Sequence, residues 1–236
     1  MTDVELRTLA YTAAAIRAAE APLLAAGEPL MARAAAAIVG AVREILGDSR
    51  GPVLILAGPG NNGGDALFAA ETLARSGVGV RLLLTADRAH TEGLGAARRG
   101  GARCVTLDEV RDAASGFRVV VDGILGVGTS ASPALRGMAR AGVEALLPAV
   151  RSAAGDRPRV VAVDLPSGLH PDDGTADDVV LPADLTVTFG ALKPGLVQGR
   201  GPEFAGEIRL VDLGLGPALA RMQPALETSV PVRLVA

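Results

Sequence analysis

Short, continuously apolar runs alternate with longer mixed segments through most of the chain. After Gly51 and Pro52 the run VLILA is apolar at every position, which is typical of a strand covered on both faces. Four further runs follow it: VGVRLLL, ARCVTL, RVVVDGIL and RVVAVDLP. The intervening segments predict helices, namely DALFAAETLARSG, the residues from Thr91 to Arg99, a short stretch from Asp108, and the residues from Pro133 to Ala153. This alternation predicts a mostly parallel sheet with right-handed crossovers.

The two ends of the chain have different patterns. From Tyr11 to Leu46 the chain is rich in alanine and other helix formers, and prolines and a glycine between 22 and 29 divide it into two helices. Towards the other end, ADLTVTFG and GEIRLVDLG predict two strands that lie close together at an edge of the sheet. We therefore predict a single domain over 1–236, with a helical arm over about 1–50, an α/β core over about 51–216 and an exit segment over 217–236.

Composition argues against two classes of protein. The net charge is -3, and the 236 residues include four Phe, one Tyr and no Trp, which leaves little surface for stacking nucleic-acid bases. The longest apolar runs have the length of strands rather than of membrane spans. The start of the chain, MTDVELRTLA, has early acidic residues and no secretory apolar segment. A soluble, cytoplasmic protein that binds neither nucleic acid nor membrane is expected.

Polar residues collect where three of the predicted strands end. The first strand ends in GPGNNGGD, the fourth in DGILGVGTSAS and the fifth in DLPSG. Ligands of open parallel sheets bind beyond the carboxyl ends of the strands. These three ends bring together two glycine-rich loops and six polar side chains: Asn61, Asn62, Asp65, Asp122, Asp164 and Ser167.

The first glycine loop contains the pattern G-x-G-x-x-G at Gly58, Gly60 and Gly63. Glycines allow close approach of the backbone, and free N–H groups at a helix start suit phosphate. A dinucleotide-binding dehydrogenase also has an acidic residue about 20 positions further on. Asp87 lies somewhat beyond that distance, and the asparagines would crowd the pyrophosphate turn. The loop alone is therefore weak evidence for a cofactor site.

Each of these residues also has a simpler structural interpretation. Asp122 and Asp164 could cap the turns that follow their strands, and Ser167 could stabilise the turn in PSG. Asn61 and Asn62 could serve only the local backbone geometry, and the hydroxyls of Thr129, Ser130 and Ser132 could be solvated. A surface position is expected for His170, and a structural role is expected for Lys193 in GALKPG.

Four segments together resemble the NAD(P)H-hydrate epimerase family: GPGNNGGDALFAA, DGILGVGTSASPALRG, AVDLPSG and ADLTVTFGALKPGL. The resemblance runs from about Ile16 to about Gly216, with the motifs in the family's order. It implies a Rossmann-like three-layer α/β/α sandwich that interconverts the S and R forms of hydrated NADH and NADPH. One departure is Ala66, where many members have glycine, and this alanine fits if the helix has already begun there.

The resemblance also implies roles for individual residues. Contacts to the dinucleotide would come from Asn61, Asn62, Gly63, Gly64 and Asp65, and the phosphates would lie on the loop of Gly126, Val127, Gly128, Thr129, Ser130, Ala131 and Ser132. Asp164 would lie at the hydrated nicotinamide ring. One potassium ion per subunit would take oxygen from Asn62, Asp122 and Ser167.

The chemistry of the implied substrate agrees with these residue types. The hydroxyl of hydrated NAD(P)H is on the ring carbon next to nitrogen, so this carbon is a hemiaminal. Its configuration can invert through an iminium ion or through an open aldehyde, and either route gives and takes a proton at one oxygen. A carboxyl group such as Asp164 can serve as acid and base in turn if burial raises its pKa. An amide, a carboxylate and a hydroxyl suit a hard cation better than zinc.

Two other functions were weighed against the epimerase. A conventional NAD-dependent oxidoreductase needs a His, a Tyr-x-x-x-Lys pair or a Cys that helps to move the hydride or activates a carbonyl. This sequence has none in a suitable place. A non-catalytic binding or interaction module would be free to lose Asn62, Asp122 and Asp164, which are all present. From the family we also expect an ADP- or ATP-dependent NAD(P)H-hydrate dehydratase as functional partner, either separate or fused, and a homodimer formed through the helical arm.

Overall fold

The computed structural model describes residues 8–49, 51–128 and 132–235, and its centre is an eight-stranded parallel sheet. The described residues form ten strands, of which β1 and β9 make a separate two-stranded sheet. The strands are β1 (Thr8–Ala10), β2 (Val53–Ala57), β3 (Val80–Leu84), β4 (Arg103–Cys104), β5 (Val119–Gly123), β6 (Arg159–Val163), β7 (Leu185–Phe189), β8 (Glu207–Val211), β9 (Leu226–Thr228) and β10 (Val232–Val235). The helices are α1 (Ala13–Ala25), α2 (Leu30–Leu46), α3 (Asn61–Arg75), α4 (Thr91–Gly100), α5 (Leu107–Asp112), α6 (Gly137–Val150), α7 (Gly201–Phe204) and α8 (Gly216–Leu219). The order of strands across the sheet is β10-β8-β7-β6-β5-β2-β3-β4.

Helices cover both faces of this sheet, as the pattern of β2 illustrates. Val53, Ile55 and Ala57 belong to a core shared with α2, α3 and α4, whereas Leu54 and Leu56 belong to a core shared with α5 and α6. Successive side chains of a strand point to opposite faces of the sheet, and helices cover both faces. All five residues are therefore fully buried. The predicted three-layer sandwich with a mostly parallel sheet is confirmed.

The helix after the first glycine loop begins earlier than the sequence indicates. Its predicted start is Asp65, but α3 begins at Asn61, so the two asparagines and Gly63 and Gly64 form its first turn. Glycine is a poor helix former, so a pair of glycines predicts a loop instead of a helix. Ala66 lies inside the helix and is fully buried, which meets the condition set for its departure from the family pattern.

The C-terminal part of the chain is more integrated into the fold than predicted. The expectation of an edge position for the last two predicted strands is wrong, because β7 and β8 lie inside the sheet and β10 forms the edge. Within the predicted exit segment, β9 pairs antiparallel with β1, and β10 pairs with β8. These strands are short and partly exposed, so their apolar pattern is weak.

Within the described residues no single helix is long and apolar enough to span a membrane, although α1 and α2 together reach that length and composition with a bend of 115° between them. The two helices pack on the protein core instead of forming one straight segment. Ile16 and Ala19 of α1 and Ile38 and Val42 of α2 are buried in the same core as β2.

Candidate active site

The carboxyl ends of β6, β5 and β2 lie side by side, and a cavity of about 420 Å³ opens at this edge of the sheet. This is the position at which open parallel sheets bind ligands. The helical arm forms another wall of the cavity, to which α1 contributes Arg17, Glu20 and Leu24. Of the residues proposed for substrate contact, seven line the cavity: Asn61, Asn62, Asp65, Gly126, Val127, Gly128 and Asp164.

The turn between β2 and α3 is closed by contacts that leave no room for side chains. A Cβ atom on Gly58 would lie 1.9 Å from the carbonyl oxygen of Ile124, and one on Gly63 would lie 2.0 Å from the carbonyl oxygen of Gly58. A Cβ atom on Gly64 would lie 3.0 Å from the ring of His90. Gly63 and Gly64 are buried, so they position the turn instead of facing the cavity.

Asn62 carries a buried polar atom without a partner. Its side-chain nitrogen makes no hydrogen bond within the described part of the chain. The side chain packs on the second glycine loop, where a Cβ atom on Gly126 would lie 3.0 Å from its Oδ1. A buried polar group left unsatisfied costs about 1–3 kcal/mol, which indicates that something else satisfies it. Rotation of the Asn62 amide by about 180° exchanges its nitrogen and its oxygen, so either atom can occupy this unpartnered position.

Asp122 and Ser167 are joined at the ends of the neighbouring strands β5 and β6. The Ser167 hydroxyl donates to Oδ1 of Asp122 at 2.6 Å, and the Ser167 amide donates to Oδ2 at 2.8 Å. The same hydroxyl accepts a hydrogen bond from the amide of Leu125 at 2.9 Å. Asp122 is fully buried, and this burial raises the pKa of its carboxyl despite the hydrogen bonds from Ser167.

Asp164 follows β6 and is held by a buried lysine. Lys193 is only 1% exposed, and its ammonium donates to Oδ1 of Asp164 at 2.5 Å, to the hydroxyl of Thr188 at 3.0 Å and to the carbonyl of Phe189 at 2.8 Å. Oδ2 of Asp164 accepts a hydrogen bond from the amide of Val127 at 3.3 Å. Asp164 is the one non-glycine residue of the described chain with a positive φ, +68°. Such strain in a cavity is typical of a functional position.

Two further carboxyl groups face the same cavity. Burial, together with repulsion from Asp164 and Glu20, raises the pKa of Asp65 to about 8. Burial also raises the pKa of Glu20, while Lys193 and Arg17 act in the opposite direction. The cavity therefore combines three acidic side chains with two cationic ones.

Of the described residues, neither Ser132 nor His170 lines the cavity. Thr129, Ser130 and Ala131 fall outside the described residues. Ser132 is exposed, and its hydroxyl accepts a hydrogen bond from the amide of Ala134 at 3.4 Å. His170 is 3.1 Å from the carboxylate of Asp173 and does not line the cavity.

Three charged residues of this site were not assigned to it from the sequence: Arg17, Glu20 and Lys193. Lys193 carried a usable signal, since a lysine within the otherwise apolar GALKPGL must either reach solvent or find a buried partner. Arg17 and Glu20 carried none, because an arginine and a glutamate on an alanine-rich helix look like solvent-exposed residues. The guanidinium of Arg17 instead reaches the carbonyl of Val127 at 2.5 Å.

Comparison with known proteins shows the family to which the chain is similar. A family model described as "YjeF-related protein N-terminus" matches residues 27–195. The chain is 55% identical over 226 residues to an NAD(P)H-hydrate epimerase of Microbacterium testaceum (strain StLB037), covering 96% of this chain and 86% of that protein. A protein of the same name from Clavibacter michiganensis subsp. michiganensis (strain NCPPB 382) is 53% identical over 221 residues, with coverage of 91% and 94%.

Two further comparisons are more distant, one with a longer protein and one with a solved structure. The bifunctional NAD(P)H-hydrate repair enzyme Nnr of Mycobacterium tuberculosis (strain ATCC 25618 / H37Rv) is 38% identical over 213 residues, which are 87% of this chain but 41% of that protein. The crystal structure of the yeast protein ynu0 (YNL200c) superposes with a TM-score of 0.68 over 82% of this chain and 85% of that chain. Its sequence identity is 21%, so this likeness concerns the fold alone.

Proposed function

This chain belongs to the NAD(P)H-hydrate epimerase family, and from that premise we propose that it interconverts the R and S forms of hydrated NADH and NADPH at the cavity of Asp164. The observation that carries the proposal is the buried ion pair of Asp164 and Lys193 at the carboxyl end of β6. The ion pair holds a carboxylate in a cavity that two glycine-rich turns also line. The reaction needs both a site for the dinucleotide and a group that exchanges a proton with it.

The cavity has a place for each part of the substrate. The start of α3 and the loop from Gly126 to Gly128 offer backbone N–H groups, which suit the pyrophosphate. The hydrated ring would lie against Asp164, with the helical arm as its outer wall. Leu24, Met31 and Ala34 supply apolar surface there. Partial enclosure of this kind strengthens electrostatic interactions within the site.

The chemistry needs a group that exchanges a proton with the hydroxyl on the hemiaminal carbon. When that hydroxyl leaves, the ring nitrogen supplies the electron pair and an iminium ion forms; addition of water to the other face completes the inversion. Asp164 is the residue we assign to this exchange. Lys193, Thr188 and the Val127 amide hold both of its oxygens, so the carboxylate keeps one orientation. General acid–base help of this kind contributes about 10²- to 10⁴-fold.

We also assign a potassium site to Asn62, Asp122 and Ser167. The observations that support it are the buried carboxylate of Asp122 and the Asn62 amide, whose oxygen would occupy the unpartnered position in the flipped orientation. No group of three His, Cys, Asp or Glu able to hold a metal is found among the described residues. Amide, hydroxyl and carboxylate oxygens with a single negative charge suit a large monovalent cation. When bound, the ion would supply positive charge beside the two glycine-rich turns.

Two partners complete the proposal. An ADP- or ATP-dependent NAD(P)H-hydrate dehydratase would consume one epimer, and the bifunctional names of the longer relatives support a coupled activity. A homodimer through the helical arm is proposed as well. Leu24 at the end of α1 is 56% exposed, which leaves an apolar side chain available on that surface.

The test follows the epimers directly. The purified R form of hydrated NADPH is incubated with the protein in potassium buffer, and the two epimers are separated by chromatography over time. We expect conversion well above the spontaneous rate and its loss in Asp164→Asn. Asparagine is chosen because it tolerates a positive φ, whereas alanine would add backbone strain. A folded wild-type protein that gives only the spontaneous rate would contradict the proposed function.

A further inference from the structure

One carboxyl group of the cavity, that of Asp65, has no part in the proton transfer of the proposed function. Asp65 lies on α3 just beyond its first turn and faces the same cavity as Asp164. No residue of the described chain donates a hydrogen bond or forms an ion pair with it; its interactions are burial and repulsion by Asp164 and Glu20. Its position beyond the first turn also removes most of the help that a helix N-terminus gives to a negative charge.

Asp65 and Asp164 therefore have opposite environments. Asp164 accepts hydrogen bonds from an ammonium group, a hydroxyl and an amide. Asp65 has two acidic neighbours and no donor, so its neutral form is favoured. A carboxyl group without donors, beside a carboxyl group that accepts three hydrogen bonds, gives one group suited to donate a proton and one suited to accept it.

Other charged groups near Asp65 do not reverse this difference. Arg17 reaches the carbonyl of Val127 at the rim, and Lys193 is bound to Asp164, so neither forms an ion pair with Asp65. His90, the residue before helix α4, packs against Gly64, and its Nδ1 accepts a hydrogen bond from the amide of Gly93. The carboxyl of Asp65 keeps its proton near neutral pH, since its pKa is raised to about 8.

We propose that Asp65 is a second catalytic residue, the acid that protonates the leaving hydroxyl while the Asp164 carboxylate acts as the base. This inference rests on the proposed epimerase function and goes beyond it, because there Asp65 only contacts substrate and Asp164 alone moves the proton. An unpartnered carboxyl in a half-buried position stabilises nothing in the fold, so a structural role does not explain it.

The proton balance of one turnover can be written in full. Asp65 gives its proton to the hydroxyl as the carbon–oxygen bond breaks, water forms, and the nitrogen lone pair makes the iminium. A water molecule then bonds to the same carbon on the other face and gives one proton to the Asp164 carboxylate. The product has the composition of the substrate, and one proton has moved from Asp65 to Asp164. Conversion in the reverse direction, or exchange with solvent, restores the starting state.

The experiment compares three variants: Asp65→Asn, Asp65→Glu and, as a matched control, Asp108→Asn. Asp108 is also an aspartate near the start of a helix, but it is exposed and lies outside the cavity. The values of kcat and KM for epimer conversion are measured from pH 5 to pH 9.5, with thermal unfolding of each protein as a check of folding. Transfer of ¹⁸O from solvent to the product is followed by mass spectrometry.

For the wild type we expect kcat to fall as the pH rises through about 8, since the acid must be protonated. Asp65→Asn should lower kcat by about 100-fold or more, leave KM within a few-fold and abolish this alkaline fall. Asp65→Glu should restore part of the rate together with the pH dependence, and Asp108→Asn should match the wild type. Product formed by the wild type in H₂¹⁸O should carry the label, because the hydroxyl leaves as water.

Different outcomes overturn different statements. A wild-type protein that never exceeds the spontaneous rate contradicts the epimerase itself. If the wild type is active and Asp65→Asn keeps its kcat, or loses rate with the alkaline fall unchanged, the role of Asp65 is wrong and the epimerase stands. Product without ¹⁸O would also overturn the role of Asp65, since no hydroxyl would then depart as water.

Discussion

The ammonium nitrogen of Lys193 lies 2.5 Å from Oδ1 of Asp164, and both side chains are almost completely removed from solvent. Neither charge could be buried alone at an acceptable free energy. The Thr188 hydroxyl and the Phe189 carbonyl occupy further hydrogen-bonding positions of the ammonium. The end of β7 and the segment that follows it therefore hold the carboxylate at the end of β6 in place.

Removal of this lysine should destabilise the fold as well as the site. Lys193→Met keeps the length of the side chain but leaves the Asp164 carboxylate buried without its cation. We expect the free energy of unfolding, measured with urea, to fall by about 3–5 kcal/mol.

The double variant Lys193→Met with Asp164→Asn serves as the control, because it removes both charges and should recover part of the lost stability. Strictly additive effects of the two substitutions would show that the pair is not coupled.

The close backbone contact at the first glycine turn predicts that alanine at Gly63 lowers the stability of the protein much more than alanine at Gly60. In Gly63→Ala the new methyl group would lie 2.0 Å from the carbonyl oxygen of Gly58, so the turn must move. A Cβ atom on Gly60 meets nothing within 4 Å, and its φ of −96° suits any residue. We expect Gly63→Ala to lower Tm by several degrees or prevent folding, while Gly60→Ala stays within about 0.5 kcal/mol of the wild type. Equal Tm values for the two variants would disprove this account.

Asp65 should lower the stability of the protein in a pH-dependent way. Its pKa rises from an ordinary value of 3.8 when unfolded to about 8 when folded, so it does not lower the stability below about pH 4, and the loss of stability grows until the pH passes about 8. Asp65→Asn cannot ionise. We therefore expect the Tm advantage of this variant over the wild type to be small at pH 4 and to grow to a few degrees at pH 8 and above. A difference in Tm that is independent of pH would contradict the raised pKa.

Potassium should stabilise the protein through Asn62 without any need for substrate. A ligand that binds only the folded state at 100 times its Kd adds about 2.7 kcal/mol. Tm is measured in potassium chloride and in tetramethylammonium chloride at the same ionic strength, and we expect the higher value in potassium. Asn62→Ala removes a side chain with an unpartnered nitrogen, so it should fold and lose the potassium-dependent part. Identical Tm values in both salts would argue against the site.

The positions of Asp122 and Asp164 could be predicted because they depend on two general rules. Buried parallel strands read as continuous apolar runs, and the carboxyl ends of neighbouring strands meet at one edge. Both aspartates come at the ends of such runs, and the structure places Asp122 near the end of β5 and Asp164 directly after the adjacent strand β6.

The partners from distant parts of the chain could not be predicted in the same way. Lys193 and Asp164 are joined by the order of β6 and β7 in the sheet, which the apolar pattern does not specify. Arg17 and Glu20 reach the cavity because α1 packs across it, and an alanine-rich helix has no distinct apolar stripe that shows which side faces inward. The start of α3 was misplaced because tertiary packing overrides the low helix propensity of Gly63 and Gly64.

The contact between Gly58 and the carbonyl of Ile124 joins the two glycine-rich turns directly, backbone to backbone. Asn62 on the first turn also packs on Gly126 of the second. A ligand held by either turn therefore lies next to the other turn. Any factor by which a monovalent cation raises the affinity for dinucleotide must then equal the factor by which dinucleotide raises the affinity for that cation.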